Sequence, residues 1–285
     1  MIDVSLQARR AVAEDHQEIA SLMLHEANVH RHLDWRSPID WLGSPEYWVL
    51  EQAGRVSAAL ACPADPPRVS WIRLFGFLPQ LAAAQAWQPL WEIARAAAAR
   101  VDQTQVAAIV VKRWFQDLLL SSGFKERQSI VLLELRNENY RPFSAPPGIH
   151  IRALVEADLP AVTQVDMEAF GPFWHNSQDA LRRALAQAIH ASVAEDEGGL
   201  IGYQISTGNP FGAHLARLGV RREAQGRRIG AALVSELVQR LDPTHLARLS
   251  VNTQADNEPS LSLYKKMGFV PTGEHFPVLV YAQGH

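Results

Sequence analysis

Cysteine is almost missing: the 285 residues hold one, Cys62. No intramolecular disulfide can form, and a reducing compartment suits such a chain. Cys62 precedes Pro63 at the end of an apolar run, so a buried, inert thiol is expected there rather than a nucleophile. Long apolar runs are missing too. None approaches the about 18 residues that a membrane helix needs, and the opening MIDVSLQARRAVAEDH is too polar and acidic for a signal peptide. Neither sign of charge dominates: the formal net charge is −3, which gives no global pull toward nucleic acid or membrane. The His-Glu-x-x-His spacing of a helical zinc site is also absent. HEANVHRHLD, His25 to Asp34, collects three histidines and two carboxylates without it, and no metal is expected. These absences leave a cytoplasmic protein with neither a nucleic-acid nor a membrane partner as the expectation.

What the chain does have is length enough for two domains. NENYRPFSAPPGIH, Asn137 to His150, has three prolines, a glycine and little apolar periodicity, and reads as a connection. Domains over 1–136 and 149–285 with a linker at 137–148 are therefore expected. The two sides repeat each other. RAVAEDHQEIASLM starts at Arg10 and RALVEADLPAVTQV at Arg152, an offset of 142 residues. Each side closes with a helix tail stopped at Gly-Phe, Gly123-Phe124 and Gly268-Phe269, an offset of 145. Two copies of one fold account for that agreement.

Within the second half the pattern predicts a strand at 149–153, helices at 156–169 and 178–190, and strands at 191–196, 200–207 and 213–220. A helix at 229–241 is stopped by Asp242-Pro243. A strand at 247–252, a helix at 258–267 and two final strands complete the half. The fold class is mixed α/β: in each copy a central, twisted, mostly antiparallel sheet flanked by helices, in which antiparallel strands feed a βαβ unit.

The densest local signal is VRREAQGRRIGAALVSEL, Val220 to Leu237. A strand, HLARLGV, runs into a Gly-containing turn, and Ile229, Leu233, Val234, Leu237 and Val238 mark one face of the helix after it. Unpaired N–H groups at a helix start, with the helix dipole, form an anion site. Arg217, Arg221, Arg222, Arg227 and Arg228 stand close by in sequence. Taken alone, a charged turn between strand and helix explains these residues equally well. Downstream, ARLSVNTQADNEPSLSLYKKMGF runs from a strand into a short helix that Asn257 can cap, with Pro259 in its first turn.

Gln225-Gly226-Arg227-Arg228-Ile229-Gly230 followed by Asn257-Glu-Pro-Ser260 and Leu263-Tyr264-Lys-Lys-Met-Gly268-Phe269 resembles the GNAT superfamily of N-acetyltransferases. Order, spacing and the intervening strand all match over about 148–285. One position departs: Arg228 stands where the family's turn has glycine. The resemblance implies acetyl-CoA as cosubstrate, no metal, and a small-molecule or peptide amine as acceptor. It places the pantetheine amides against the backbone of Leu218 and Val220 and the pyrophosphate on Gln225, Gly226, Arg227, Arg228, Ile229 and Gly230. Arg221 and Arg222 become supplementary phosphate candidates. Asn257 matches a cofactor-side asparagine, with plain capping as the alternative.

Acetyl transfer by direct attack needs a group to take the amine proton and gains from a group that protonates the leaving sulfur. Tyr264 matches the family's general acid. For the base, His214 stands where the family often has glutamate; Glu168 competes, and a water relay without a single base is a third option. Phe170, Phe173 and Trp174, in the segment between the first two helices, are expected either to wall the acceptor pocket or to contact the first domain. The first half has no Gly-rich turn after RVSWIRLFGF, and Leu119 stands at the position of Tyr264. It is expected to keep the fold without the cofactor site, so that the protein is a monomeric pseudo-dimer or a homodimer. A CoA-binding regulator without catalysis, or an acyltransferase with another donor, are the alternative functions.

Overall fold

The computed structural model describes residues 6–100, 105–242 and 247–282. Two compact units divide the chain: Met1–Arg127 with Phe276–His285, and Gln128–His275. In the first unit the elements are β1 (Gln7–Arg10), α1 (His16–Leu22), β2 (Val29–Arg31), β3 (Tyr47–Gln52), β4 (Arg55–Ala61), β5 (Val69–Trp71), β6 (Leu74–Phe77), α2 (Ala83–Ala98), β7 (Gln105–Ile109) and α3 (Arg113–Ser121). Next comes β8 (Lys125–Leu135). The second unit continues with β9 (His150–Ala153), α4 (Leu159–Trp174), α5 (Gln178–Ala186), β10 (His190–Asp196), β11 (Gly199–Asn209), β12 (Gly212–Val220), α6 (Ile229–Arg240), β13 (Leu249–Gln254) and α7 (Glu258–Met267). The last strand is β14 (Phe269–Tyr281).

The first unit carries a five-stranded antiparallel sheet in the order β1-β3-β4-β6-β2. Beside it, β5 runs parallel to β7, and Val278–Tyr281 of β14 pairs antiparallel to β7. The second unit orders β8, β13, β12, β11, β10 and β9 side by side, antiparallel except for the β12–β13 pair. Each unit thus completes its sheet with a strand drawn from the other half of the repeat. β13 takes Ile130–Glu134 of β8, and β7 takes the end of β14. Such an exchange closes sheet edges that would otherwise present unpaired backbone groups.

This exchange places the unit boundaries elsewhere than the proline-rich stretch suggests. The 137–148 segment lies within the second unit and is tied down there. Arg136 N–H donates to Gly268 O at 3.2 Å, Arg141 N–H to Met267 O at 3.3 Å, and Phe143 N–H to the buried Ser235 Oγ at 2.8 Å. At Gly268, φ is +102° and an added Cβ would stand 2.4 Å from Asn139 O. Only glycine allows both the left-handed helix end and the strap across it.

The duplication shows in one ion cluster made twice. Arg9 bonds Asp15 through Nη1 at 2.7 Å and Nη2 at 2.8 Å, and Glu51 through Nε at 2.7 Å. Arg152 does the same with Asp158, at 2.7 and 2.8 Å, and with Glu195, at 3.1 Å through Nε. In both copies the Asp also accepts from the backbone N–H of a valine, Val12 and Val155, three residues before it. The register of the repeat at its start therefore pairs Arg9, not Arg10, with Arg152.

Element bounds follow the periodicity, with local exceptions. α4 continues past residue 169 to Trp174, with a break at Gly171 (φ 68°, ψ −177°). α5 stops at Ala186 because His190 already belongs to β10. The two expected final strands are one, β14. Pro243 lies outside the described residues. α6 buries Ile229, Leu233, Val234, Leu237 and Val238 as its apolar stripe predicts. Cys62 is buried in the first unit's core, and burial pushes its thiol well above the usual range. None of the described helices is long and apolar enough to cross a membrane.

Candidate functional site

β12 builds the site because its neighbours leave it half-way. It pairs with β13 only over Ala213–Leu215, against Leu249–Val251. On its other edge the ladder with β11 continues to Val220, with a register shift between Ile205 and Ser206. Arg221 N–H donates to Ile201 O at 2.8 Å. Backbone groups alternate sides along a strand, so those of Val220 and Leu218 face away from β11, into the gap that β13 has left. The carbonyl of Val220 accepts from Gln225 Nε2 at 3.1 Å, which folds the turn back on the strand.

The turn itself is formed by two left-handed residues. Gly226 has φ +78° and Arg228 φ +63°, ψ 16°. Arg228 is the N-terminal cap of α6, so the residue that departs from the GNAT motif takes the conformation for which glycine is suited. The cations around the turn are fewer than the sequence suggests. Arg217 has 13% of its side chain exposed and clasps the fully buried Asp166, at 2.7 and 2.9 Å. Arg221 bonds Leu200 O at 2.9 Å and Glu168 at 3.0 Å, and Arg227 bonds Asp196 at 3.2 Å. Arg222 and Arg228 are exposed and have no ion-pair partner among the described residues.

The Asp166 cluster is what sequence reasoning missed. Besides Arg217, Asp166 accepts from Tyr203 Oη and from Asn176 N–H at 2.5 Å. Arg217 also donates to Trp174 O at 2.7 Å, and its guanidinium lies 3.4 Å over the Phe170 ring. Its signal was present: Asp166 sits one residue after Val165 on the apolar face of α4, where a charge needs a buried partner. Phe170 covers Arg217, Phe173 is buried, and Trp174 Nε1 donates to Gln128 Oε1 at 2.9 Å.

His214 and Tyr264 flank the place where β12 and β13 part. His214 shares its face of β12 with Arg217, while Ala213 and Leu215 turn the opposite way into the cluster that holds Tyr264. His214 Nδ1 lies 2.9 Å from Ser250 Oγ, and burial holds its imidazole down to about 4. Ser250 Oγ in turn approaches Ala213 O at 3.4 Å. When the Ser250 hydroxyl donates to that carbonyl, His214 Nδ1–H donates to Ser250 Oγ and Nε2 keeps an open lone pair. Burial drives the Tyr264 phenol well above its usual range, so it stays protonated. Glu168 is engaged with Arg221 and is 40% exposed. Asn257 Oδ1 accepts from Ser260 N–H at 3.2 Å, and its Nδ2 donates to Gln254 at 3.1 Å: it is built as a helix cap.

A cavity of about 320 Å³ opens beside His214, walled by Glu134, Thr207, Asn209, Phe211, Arg248 and Ser250 among others. Glu168, Phe170, Phe173 and Trp174 are not in its wall.

The model of the acetyltransferase (GNAT) family matches residues 159–269. That stretch belongs to the GNAT family. Mycothiol acetyltransferase of Pseudarthrobacter chlorophenolicus is 33% identical over 141 residues, 44% of this chain and 43% of that protein. The enzyme of the same name from Amycolatopsis mediterranei is 27% identical over 173 residues, 53% and 57% respectively. The chain thus spans about half the length of the curated relatives it matches. Among solved structures, a tandem GNAT protein from the clavulanic acid biosynthesis pathway superposes over 99% of both chains, with a TM-score of 0.64 at 19% identity. A GCN5-related N-acetyltransferase from Sphaerobacter thermophilus gives 0.60 at 18%, over 97% and 95%. The whole chain therefore has the tandem GNAT fold.

In the first GNAT-like unit the corresponding gap is filled from within. β5 and β6 stand where β12 does: β5 runs parallel to β7, and β6 carries on alongside β4. But β2 pairs with the free edge of β6, Val29 opposite Gly76 and Arg31 opposite Leu74. The histidine-rich stretch supplies that strand. His30 is fully buried, stacked on Phe115 at 4.1 Å with Nε2 3.2 Å from Ile72 O. Among the described residues no group of three or more His, Cys, Asp or Glu is placed to hold a metal.

Proposed function

We propose that the second unit transfers the acetyl group of acetyl-CoA to a primary amine. The observation that carries this reading is the parting of β12 from β13 directly before the turn into α6. It offers an extended backbone edge, then helix N–H groups, in the order pantetheine and pyrophosphate require. Leu218 and Val220 pair with the pantetheine amides. Gly226, Arg227, Arg228, Ile229 and Gly230 receive the pyrophosphate through backbone N–H groups and the α6 dipole, and the exposed guanidiniums of Arg228 and Arg222 add positive charge beside it. Gln225 braces the turn from Val220. Asn257 serves by capping α7.

The amine nitrogen attacks the thioester carbonyl, a C–N bond forms, and the C–S bond breaks. His214 Nε2 takes the amine proton, and Tyr264 gives its phenolic proton to the leaving sulfur. Glu168 is spoken for by Arg221, which favours His214 as the base. With its pKa near 4, His214 is neutral throughout the physiological range. The value of kcat/KM should therefore rise with pH through the acceptor amine's own pKa and show no break near 6.5, the ordinary pKa of histidine. Thiol release from acetyl-CoA over a panel of amines tests the reading. Saturable CoA binding without turnover on any amine would make the chain a CoA-binding regulator instead.

A further inference from the structure

The cavity beside His214 has a chemistry of its own, and its assignment as an acceptor site rests on acetyl transfer by the second unit. Glu134, Ser250, His214 and Thr207 are direct partners across the four adjacent strands β8, β13, β12 and β11. Side chains at paired positions leave the same face of a sheet, so these four form one polar row along the cavity. Glu134 and His214 stand two strands apart, about 10 Å between their Cα atoms at ordinary strand spacing.

The row is charged at one end. The Glu134 side chain is 16% exposed, whereas its partner Arg248 is 65% exposed and reaches it through Nε at 2.9 Å. An ion pair with one partner in water contributes about 0–1 kcal/mol, so an incoming cation can replace Arg248 at little cost. Phe211, at the tip of the β11–β12 hairpin, is 80% exposed and lines the same cavity. A carboxylate and an open aromatic face are the two groups that recognise an ammonium ion. The volume, about 320 Å³, is at the small end of ligand cavities.

We propose that this cavity takes a small acceptor with two amino groups, one held as ammonium by Glu134 against Phe211 and the other presented as the free amine to His214. The anchored charge fixes the length of the acceptor, because the nucleophile must reach along the row. Glu134 comes from β8, so the first copy of the repeat contributes its last strand to acceptor selection in the second unit.

The test uses the full chain, acetyl-CoA and three acceptors of one length: 1,4-diaminobutane, butylamine and 4-aminobutyrate. The diamine should exceed butylamine at least 10-fold in kcat/KM. Glu134→Gln should erase that preference by bringing kcat/KM for the diamine down to that for butylamine, and Arg248→Ala should lower the KM for the diamine by removing the competing cation. Equal kcat/KM for diamine and monoamine overturns the proposal. So does a preference for 4-aminobutyrate that Arg248→Ala abolishes, since the cavity would then recognise an anion on Arg248. Thermal midpoints of both variants separate loss of recognition from loss of fold. Release of no thiol with any amine overturns the acetyl-transfer reading itself, and this inference with it.

Discussion

Arg228 holds a left-handed backbone, φ 63° and ψ 16°, at the one position where this chain departs from the GNAT turn. A residue with a Cβ pays about 1–2 kcal/mol for that conformation, and the exposed guanidinium has no ion-pair partner among the described residues to recover it. Arg228→Gly should therefore raise unfolding stability by about 1 kcal/mol, read from the urea midpoint. Arg228→Ala, which keeps the Cβ, should not. The same glycine variant removes a cation from the turn, so CoA affinity should become less sensitive to salt; unchanged salt dependence would mean that Arg228 does not meet the phosphates. Tyr264 gives the complementary case. It is 4% exposed, its ring 5.5 Å from Phe269, so removing the hydroxyl disturbs packing little. Tyr264→Phe should lower kcat by about 10²–10⁴-fold and leave the Kd for CoA in place. An unchanged kcat would assign Tyr264 to packing alone.

At the scale of elements, a buried charge pair ties α4 to the sheet in addition to its buried apolar residues Leu159, Val162, Val165 and Phe173. Asp166 has no exposed surface and meets Arg217 of β12, Tyr203 of β11 and the backbone of Asn176. Breaking such a pair from one side leaves a buried charge without a partner and costs about 3–5 kcal/mol. Asp166→Ala should lose that much stability in chemical denaturation, and the Asp166→Leu, Arg217→Met double variant should lose clearly less. A double variant as unstable as the single one would place the cost in packing. These elements also mark what could be read from sequence. The apolar stripe of α6, the cap at Asn257 and the Gly-Phe stops are local patterns, and each lies where its pattern puts it. Arg217 was legible only as one arginine in a basic run, because nothing within reach along the chain says that Asp166, 51 residues earlier, neutralises it. β2 is three residues long and has no periodicity to announce it. The exchanged strands β8 and β14 were legible as strands but not by partner, since alternation fixes which face is buried and leaves the neighbour open. Glu134 escaped notice for the same reason.

For the molecule as a whole, the filled gap in the first unit and the open one in the second imply a single cofactor site. Titration calorimetry with CoA should give one equivalent per chain, and Gly230→Trp, in a turn where an added Cβ already stands 3.3 Å from Leu263, should abolish it. Two equivalents would show that β2 yields. Among the described residues, the buried His30 and the half-buried His32 and His214 set a second property. Burial lowers His30 to about 3 and His214 to about 4, and holds His32 well below its ordinary value. A histidine whose pKa is depressed on folding stabilises the native state fully above its unfolded pKa of about 6.5, and that contribution is lost as pH falls toward the folded value. The carboxylates lowered by their partners, Asp15, Asp158 and Glu236, start to lose theirs only below about 4.5, the upper end of ordinary carboxylate values. Between these limits the histidines govern. Stability should be level from pH 8 to 7 and then fall below about 6.5 with a slope of up to about 1.4 kcal/mol per pH unit for each histidine. His214→Asn should make that slope shallower by one proton, measured by urea midpoints across the range. A wild-type slope of zero between pH 6 and 5 would mean that these imidazoles reach water in the native state, and would remove the basis for treating His214 as a neutral base.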